Sequence, residues 1–204
     1  MGKYNEEQRS AADLNEMMQL RRDKIKTFTD MGVAPFGHRY EVTHHAQDIR
    51  DHFAELEGEE DGPVVRLAGR LTAKRGHGKA SFAELQDSKG RIQVYISRDD
   101  ICPTDDKDLY NKVFKKLLDI GDIIGVKGFV FRTQTGEISV HAREIKLLSK
   151  SLKPLPIVKY KDGIAYDKFD DPELRARQRY VDLIVNDGVK DTFLKRATIL
   201  RTMR

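Results

Sequence analysis

The chain has 204 residues, 34% of them charged and 39% hydrophobic, a net charge of +4 and a pI near 9.0, which suits one medium domain or a small one with part of another and is ordinary, if slightly polar, for a soluble protein. Cys102 is the single cysteine, so no intramolecular disulfide framework exists and a reducing, cytoplasmic setting is expected. No apolar run reaches the length of about 18 residues that a membrane helix needs, the N-terminus lacks a signal-peptide apolar segment, and the mild basic excess is compatible with a polyanionic partner.

Residues 5–31 carry Leu14, Met17, Met18, Ile25, Phe28 and Met31 at helical spacing, and Gly32 and Pro35 stop the pattern. A second short helix fits 46–57, with Ile49, Phe53 and Leu56 on one stripe. The acidic run Glu55 to Pro63 is a boundary loop. From Val64 to Ser149 the texture is strand-like. Strands are expected at 64–75, 80–86, 91–98, 122–133 and 137–148. "GHGK", "DSKG" and Thr135-Gly136 supply turns, and a helix at 105–118 has Leu109, Val113, Leu117 and Leu118 on one side. Three strands, a helix and two strands form the order of an OB-fold. This small five-stranded barrel binds oligonucleotides or oligosaccharides on its second and third strands and nearby loops.

"SLKPLPI" is an extended linker. Two helical patterns follow, "PELRARQRYVDLIV" and "GVKDTFLKRATILRTMR". The second is still amphipathic at Arg204, so further protein is expected beyond it. The expected divisions are a helical extension at 1–62, the barrel at 63–150, a linker at 151–171 and the start of another domain at 172–204.

Side chains alternate across a strand, so each strand can be sorted by face. Val65, Leu67 and Leu71 share the core face with Ala83, Leu85, Ile92, Val94, Ile96, Ile138 and Val140. The outer face carries Arg70, Phe82, Glu84, Gln93, Tyr95, Glu137 and His141, with Lys74, Arg75 and Lys79 in or beside the first loop. This set suits single-stranded nucleic acid. A base stacks on an exposed ring for roughly 1–3 kcal/mol, a glutamine amide or a carboxylate meets a base edge, and cations position phosphates. "GHGKAS" lacks the spacing of a phosphate-binding loop. His44, Asp48 and His52 fall four residues apart but read better as a solvated helix face than as metal ligands. No catalytic constellation can be argued from spacing.

The segments "GRLTAKRGHGKASFAELQDSKGRIQVYISRDD", "GDIIGVKGFVFRTQTGEISV", "LLSKSLKPLPI" and "RARQRYVDLIVN" resemble, in order, the N-terminal part of class II lysyl-tRNA synthetases. The resemblance runs from about residue 20 to the end. It implies a barrel that binds the uridine-rich anticodon loop of lysine tRNA. Phe82 would stack on the central uridine, Gln93 would read it, and Glu137 would read the third anticodon base. Arg75, with Arg70 on the adjoining strand, would contact the anticodon; Lys79 joins them on its residue chemistry, as a loop cation for phosphates. The resemblance also implies a homodimeric parent enzyme that uses ATP and magnesium to form lysyl-adenylate. Its active site lies outside these residues, so no catalytic residue, metal ligand or cofactor is expected here, nor a membrane partner. A free-standing OB domain for single-stranded nucleic acid and a scaffold or dimerisation piece are the alternative readings.

Overall fold

The computed structural model describes residues 2–37, 39–54, 62–156, 159–161, 164–166, 169–186 and 188–204. The chain divides into two compact units, Met1–Pro154 and Leu155–Arg204. In the first unit, α1 (Gly2–Asp30) and α2 (Ala46–His52) precede five strands: β1 (Val64–His77), β2 (Ala80–Gln86), β3 (Arg91–Ser97), β4 (Ile123–Arg132) and β5 (Ile138–Ser149). They close into a barrel in the order β1-β2-β3-β5-β4, with β4 returning to β1. The expected OB-fold is thus present, with helices on both sides of it in the chain. The acidic residues 55–61 lie outside the described residues.

Every strand pair is antiparallel except β3–β5, which is parallel. That seam spans three residue pairs, Gln93↔Ser139, Val94↔Val140 and Tyr95↔His141. By contrast, β2 and β3 pair over seven. Alternation fills the interior largely as the sequence predicts: Val65, Leu67, Leu71, Ala83, Leu85, Ile92, Val94, Ile96 and Val140 are buried, Ile138 at the start of β5 is only partly buried against them, and Ile124 and Val126 of β4 join them. Each such aliphatic side chain contributes about 1.5–3 kcal/mol. The "DSKG" turn is held by Asp87, whose carboxylate accepts from Lys89 N and Gly90 N (2.8 and 2.9 Å). The same carboxylate accepts from Ala46 N at 2.8 Å and so seats α2 against the turn.

The register of β1 slips between Leu71 and Ala73. This bulge adds one residue to the strand and inverts the facing of every later residue in β1. Beyond it Arg75 stands opposite Phe82, while Lys74 stands opposite the buried Ala83.

Between β3 and β4 the expected helix forms as a short α3 (Arg98–Ile101) and a π-helix (Leu109–Leu117). Its apolar residues come in pairs four apart, at 109–110, 113–114 and 117–118, a wider repeat than the 3.6 of an α-helix. Tyr110, Phe114, Leu117 and Leu118 are buried. Lys74 Nζ donates to the carbonyls of Phe114, Lys115 and Leu118 at 2.8–3.1 Å and satisfies the C-terminal end of this helix.

The C-terminal part of α1 docks by polar anchors. Arg21 donates to the carbonyls of Ile120, Ser151 and Lys153. Lys24 pairs with Asp119 at 2.5 Å. Beneath them the fully buried Lys150 Nζ meets Asp119 and Asp122, both at 2.7 Å, and the Leu117 carbonyl at 2.9 Å. Phe28 is buried, whereas Leu14, Met17 and Leu20 are exposed.

In the second unit, residues read as linker contain a two-stranded ribbon, β6 (Lys159–Lys161) with β7 (Ile164–Tyr166). Three helices follow, α4 (Pro172–Arg177), α5 (Arg179–Val185) and α6 (Val189–Met203). Asp171 caps α4, accepting from Leu174 N at 2.7 Å, with Pro172 at the first helical position. The buried Asp182 gathers Arg175, Arg179 and Asn186.

Candidate nucleic-acid interface

The outer face of the barrel carries a transverse row of side chains. Arg75 faces Phe82 across β1–β2, Phe82 faces Tyr95 across β2–β3, Tyr95 faces His141 across β3–β5, and His141 faces Phe129 across β5–β4. Directly opposed residues share a sheet face, so the register itself builds an aromatic strip that begins at a cation. The Phe82 and Tyr95 rings are 5.1 Å apart, Tyr95 meets His141 edge-on at 4.9 Å, and Phe129 lies 4.6 Å from His141. These separations suit offset and edge-to-face aromatic contacts.

A depression of about 550 Å³ opens on this strip, lined by Phe82, Gln93, Tyr95, Phe131, His141 and the loop 133–135. Phe82 and Tyr95 are half-buried and keep ring surface accessible, while Phe129 and Phe131 are buried beneath them. The second row is polar. Glu84 faces Gln93, and Gln93 faces Ser139. Gln93 Nε2 donates to Glu137 Oε2 at 3.1 Å, and the Ser139 hydroxyl donates to Gln93 Oε1 at 3.1 Å. Thr72, the residue at the bulge, donates to Glu84 Oε1 at 2.9 Å.

Of the residues expected from sequence, the structure brings Arg75, Phe82, Gln93 and Glu137 to one patch. Lys79 stands at the exposed tip of the β1–β2 hairpin beside Gly78, whose φ of +61° makes the tight turn. Arg75 is exposed, and neither it nor Lys79 has a side-chain hydrogen bond or ion pair among the described residues. Arg70 is not in the patch. It lies opposite Gln86, toward the other end of β2, and donates to the Gly121 carbonyl at 2.7 Å. Burial there pushes its guanidinium pKa down, against the opposing charge of Asp122. Lys74 is also occupied elsewhere, on the π-helix carbonyls, and burial lowers its pKa.

Sequence reasoning placed His141 on this face but not its partner. Asp100 on α3 accepts from His141 Nε2 at 2.8 Å and from Arg143 at 3.2 Å. Burial pushes the Asp100 carboxyl up, and hydrogen bonds from His141 and Ser97 outweigh this, so it sits below the ordinary carboxylate value. Phe129 and Phe131 were also missed as members of this face. The signal was present in "GFVFR", where Val130 alone of the three apolar residues joins the barrel core.

Residues 65–148 match the family model described as an OB-fold nucleic acid binding domain, of tRNA anticodon type. The chain is 54% identical over 194 residues to a lysine–tRNA ligase of Azobacteroides pseudotrichonymphae genomovar. CFP2, covering 94% of this chain and 38% of that protein. It is 51% identical over 195 residues to a lysine–tRNA ligase of Porphyromonas gingivalis (strain ATCC BAA-308 / W83) and 50% identical over 193 to one of Christiangramia forsetii, each covering 94% of this chain and 33% of the relative. The chain thus spans between a third and two fifths of the length of these relatives.

Proposed function

We propose that this chain, homologous to lysine–tRNA ligases over 94% of its length and an OB-fold nucleic acid binding domain over residues 65–148, is the tRNA anticodon-binding part of such a ligase. The barrel holds the uridine-rich anticodon loop of lysine tRNA. The observation that carries this is the row Arg75–Phe82–Tyr95 lying directly beside Gln93. Phe82 stacks on the central base, whose π-face any aromatic accepts. Gln93 meets that base's edge, and Glu137 serves the third anticodon base. Arg75 and Lys79, free of other partners among the described residues, position the phosphates.

In a chain that also carried a class II catalytic domain, this segment would orient tRNA for transfer of lysine from lysyl-adenylate. The ATP and magnesium of that reaction belong to the catalytic domain. Among the described residues no group of three His, Cys, Asp or Glu could hold a metal ion. The divisions 1–62, 63–150, 151–171 and 172–204 give the helical extension, reading barrel, connector and first helices of the catalytic domain. On α6, Phe193, Leu194, Leu200 and Met203 are exposed, and they fit the pairing helix of a homodimer. Similarity that covers 94% of the chain, well beyond the OB domain at 65–148, favours the ligase reading over a free-standing OB module.

The test is binding of lysine-type anticodon stem-loops with each of the four bases at the central position. Uridine binds tightest. Equal affinity for all four overturns the reading.

A further inference from the structure

Gln93 is a poor discriminator by itself. Its amide has two N–H donors on Nε2 and two lone pairs on Oε1. Uracil presents an acceptor at position 4 and a donor at position 3. Cytosine presents a donor at position 4 and an acceptor at position 3. One way round, the amide fits uracil. Flipped by 180°, the same side chain fits cytosine. A glutamine free to flip therefore accepts both pyrimidines.

Here the amide is not free to flip. Glu137 Oε2 lies 3.1 Å from Nε2, and an ionised carboxylate only accepts. Flipping would set Oε1 against the carboxylate, two acceptors face to face. On the other side Ser139, directly opposite Gln93 across the parallel seam and fully buried, donates its hydroxyl to Oε1 at 3.1 Å. The other acceptor given for that hydroxyl, the Glu137 carbonyl, is more distant at 3.4 Å. One N–H and one lone pair of Gln93 remain, in a fixed order, on the wall of the depression.

We propose that Glu137 and Ser139 are positioning residues that lock the Gln93 amide in one orientation and so set the choice between uracil and cytosine at the central base. This rests on the reading of that base as a uridine stacked on Phe82. Glu137 acts here through Gln93, whatever contact it makes with the third base.

The test compares stem-loops that differ only in U or C at the central position, with the third base held constant. Binding is measured to the native chain and to Ser139→Ala, Ser139→Thr and Glu137→Gln. The native chain prefers U. Ser139→Ala and Glu137→Gln narrow the U/C ratio by roughly tenfold, the scale of one hydrogen bond to the wrong edge. They do so mainly by improving the fit to C, and Ser139→Thr, which keeps the hydroxyl, retains the native ratio. A native ratio in both Ser139→Ala and Glu137→Gln, or an equal loss for U and C, overturns the proposal. Glu137 is exposed, so Glu137→Gln keeps the test decisive should Ser139→Ala fail to fold. A native chain that does not distinguish U from C at all defeats the uridine reading itself, and this proposal with it.

Discussion

Phe82 shows how a residue out of place for packing becomes intelligible for binding. It alternates with the buried Ser81 and Ala83 and keeps a half-exposed ring against Tyr95. Phe82→Ala removes the stacking surface but no core contact. The expected loss is about 1–3 kcal/mol in affinity for the anticodon stem-loop, measured by titration, with the thermal unfolding midpoint unchanged within the scatter of surface substitutions. A large drop in the midpoint would assign the ring to packing instead. The position of Phe82 was legible because it depends on period two alone, and so were those of Gln93 and Glu137. The hydroxyl of Ser139 was visible on the same face, but its bond to Gln93 depends on a parallel register between strands 46 residues apart. No local pattern encodes that pairing.

At the level of the elements, the β1 bulge decides which cation is available. "AKR" offers two neighbouring cations, and simple alternation would group Lys74 rather than Arg75 with Arg70. The extra residue inverts this, and only the pairing register reveals it. The two substitutions therefore separate. Arg75→Gln lowers the salt dependence of RNA binding by about one phosphate contact, a slope change of roughly 0.7–0.9, and leaves stability alone. Lys74→Met strips the donor from three π-helix carbonyls and costs about 1–3 kcal/mol of stability, with the salt slope retained. A denaturant melt and a salt titration on each variant check both. The π-helix was legible as a helix but not in its winding, because apolar pairs four apart are compatible with either period. Asp100 ties α3 to β5, and its folded pKa is depressed. Its stabilising contribution is therefore complete above the unfolded carboxylate value of about 4 and is lost as pH falls through the lower folded value. The stability gap between the native chain and Asp100→Asn closes over that acid window in a pH series of thermal melts. A gap independent of pH would detach the effect from this carboxyl.

For the whole molecule, the barrel was predictable from strand count and order, since five alternating segments around one helix admit few closed arrangements. The seating of α1 was not, because it uses a buried ionic cluster rather than a continuous apolar stripe. Asp122 is its centre, accepting from Lys150 Nζ, Asp119 N and Ser151 N at 2.7–2.8 Å with no exposure of its own. Asp122→Ala leaves the buried Lys150 undercompensated and is expected to destabilise the first unit by about 3–5 kcal/mol. The measurement is urea unfolding of the chain, and a loss below about 1 kcal/mol would show that Asp119 alone satisfies the lysine.

The short parallel seam between β3 and β5 has one more consequence. Gln93, Ser139, Tyr95 and His141 make two of the three pairs across it, and the third is the core pair Val94↔Val140, so the hoop that closes the barrel and the proposed reading face share one stretch of backbone but use opposite faces of it. Any replacement at Gln93 must also suit the Ser139 hydroxyl and the Glu137 carboxylate beside it. Closure of the barrel itself rests on the pairing of the two strands and on the buried Val94 and Val140, so the outer side chains of the seam are free to vary in preference while the hoop stays shut.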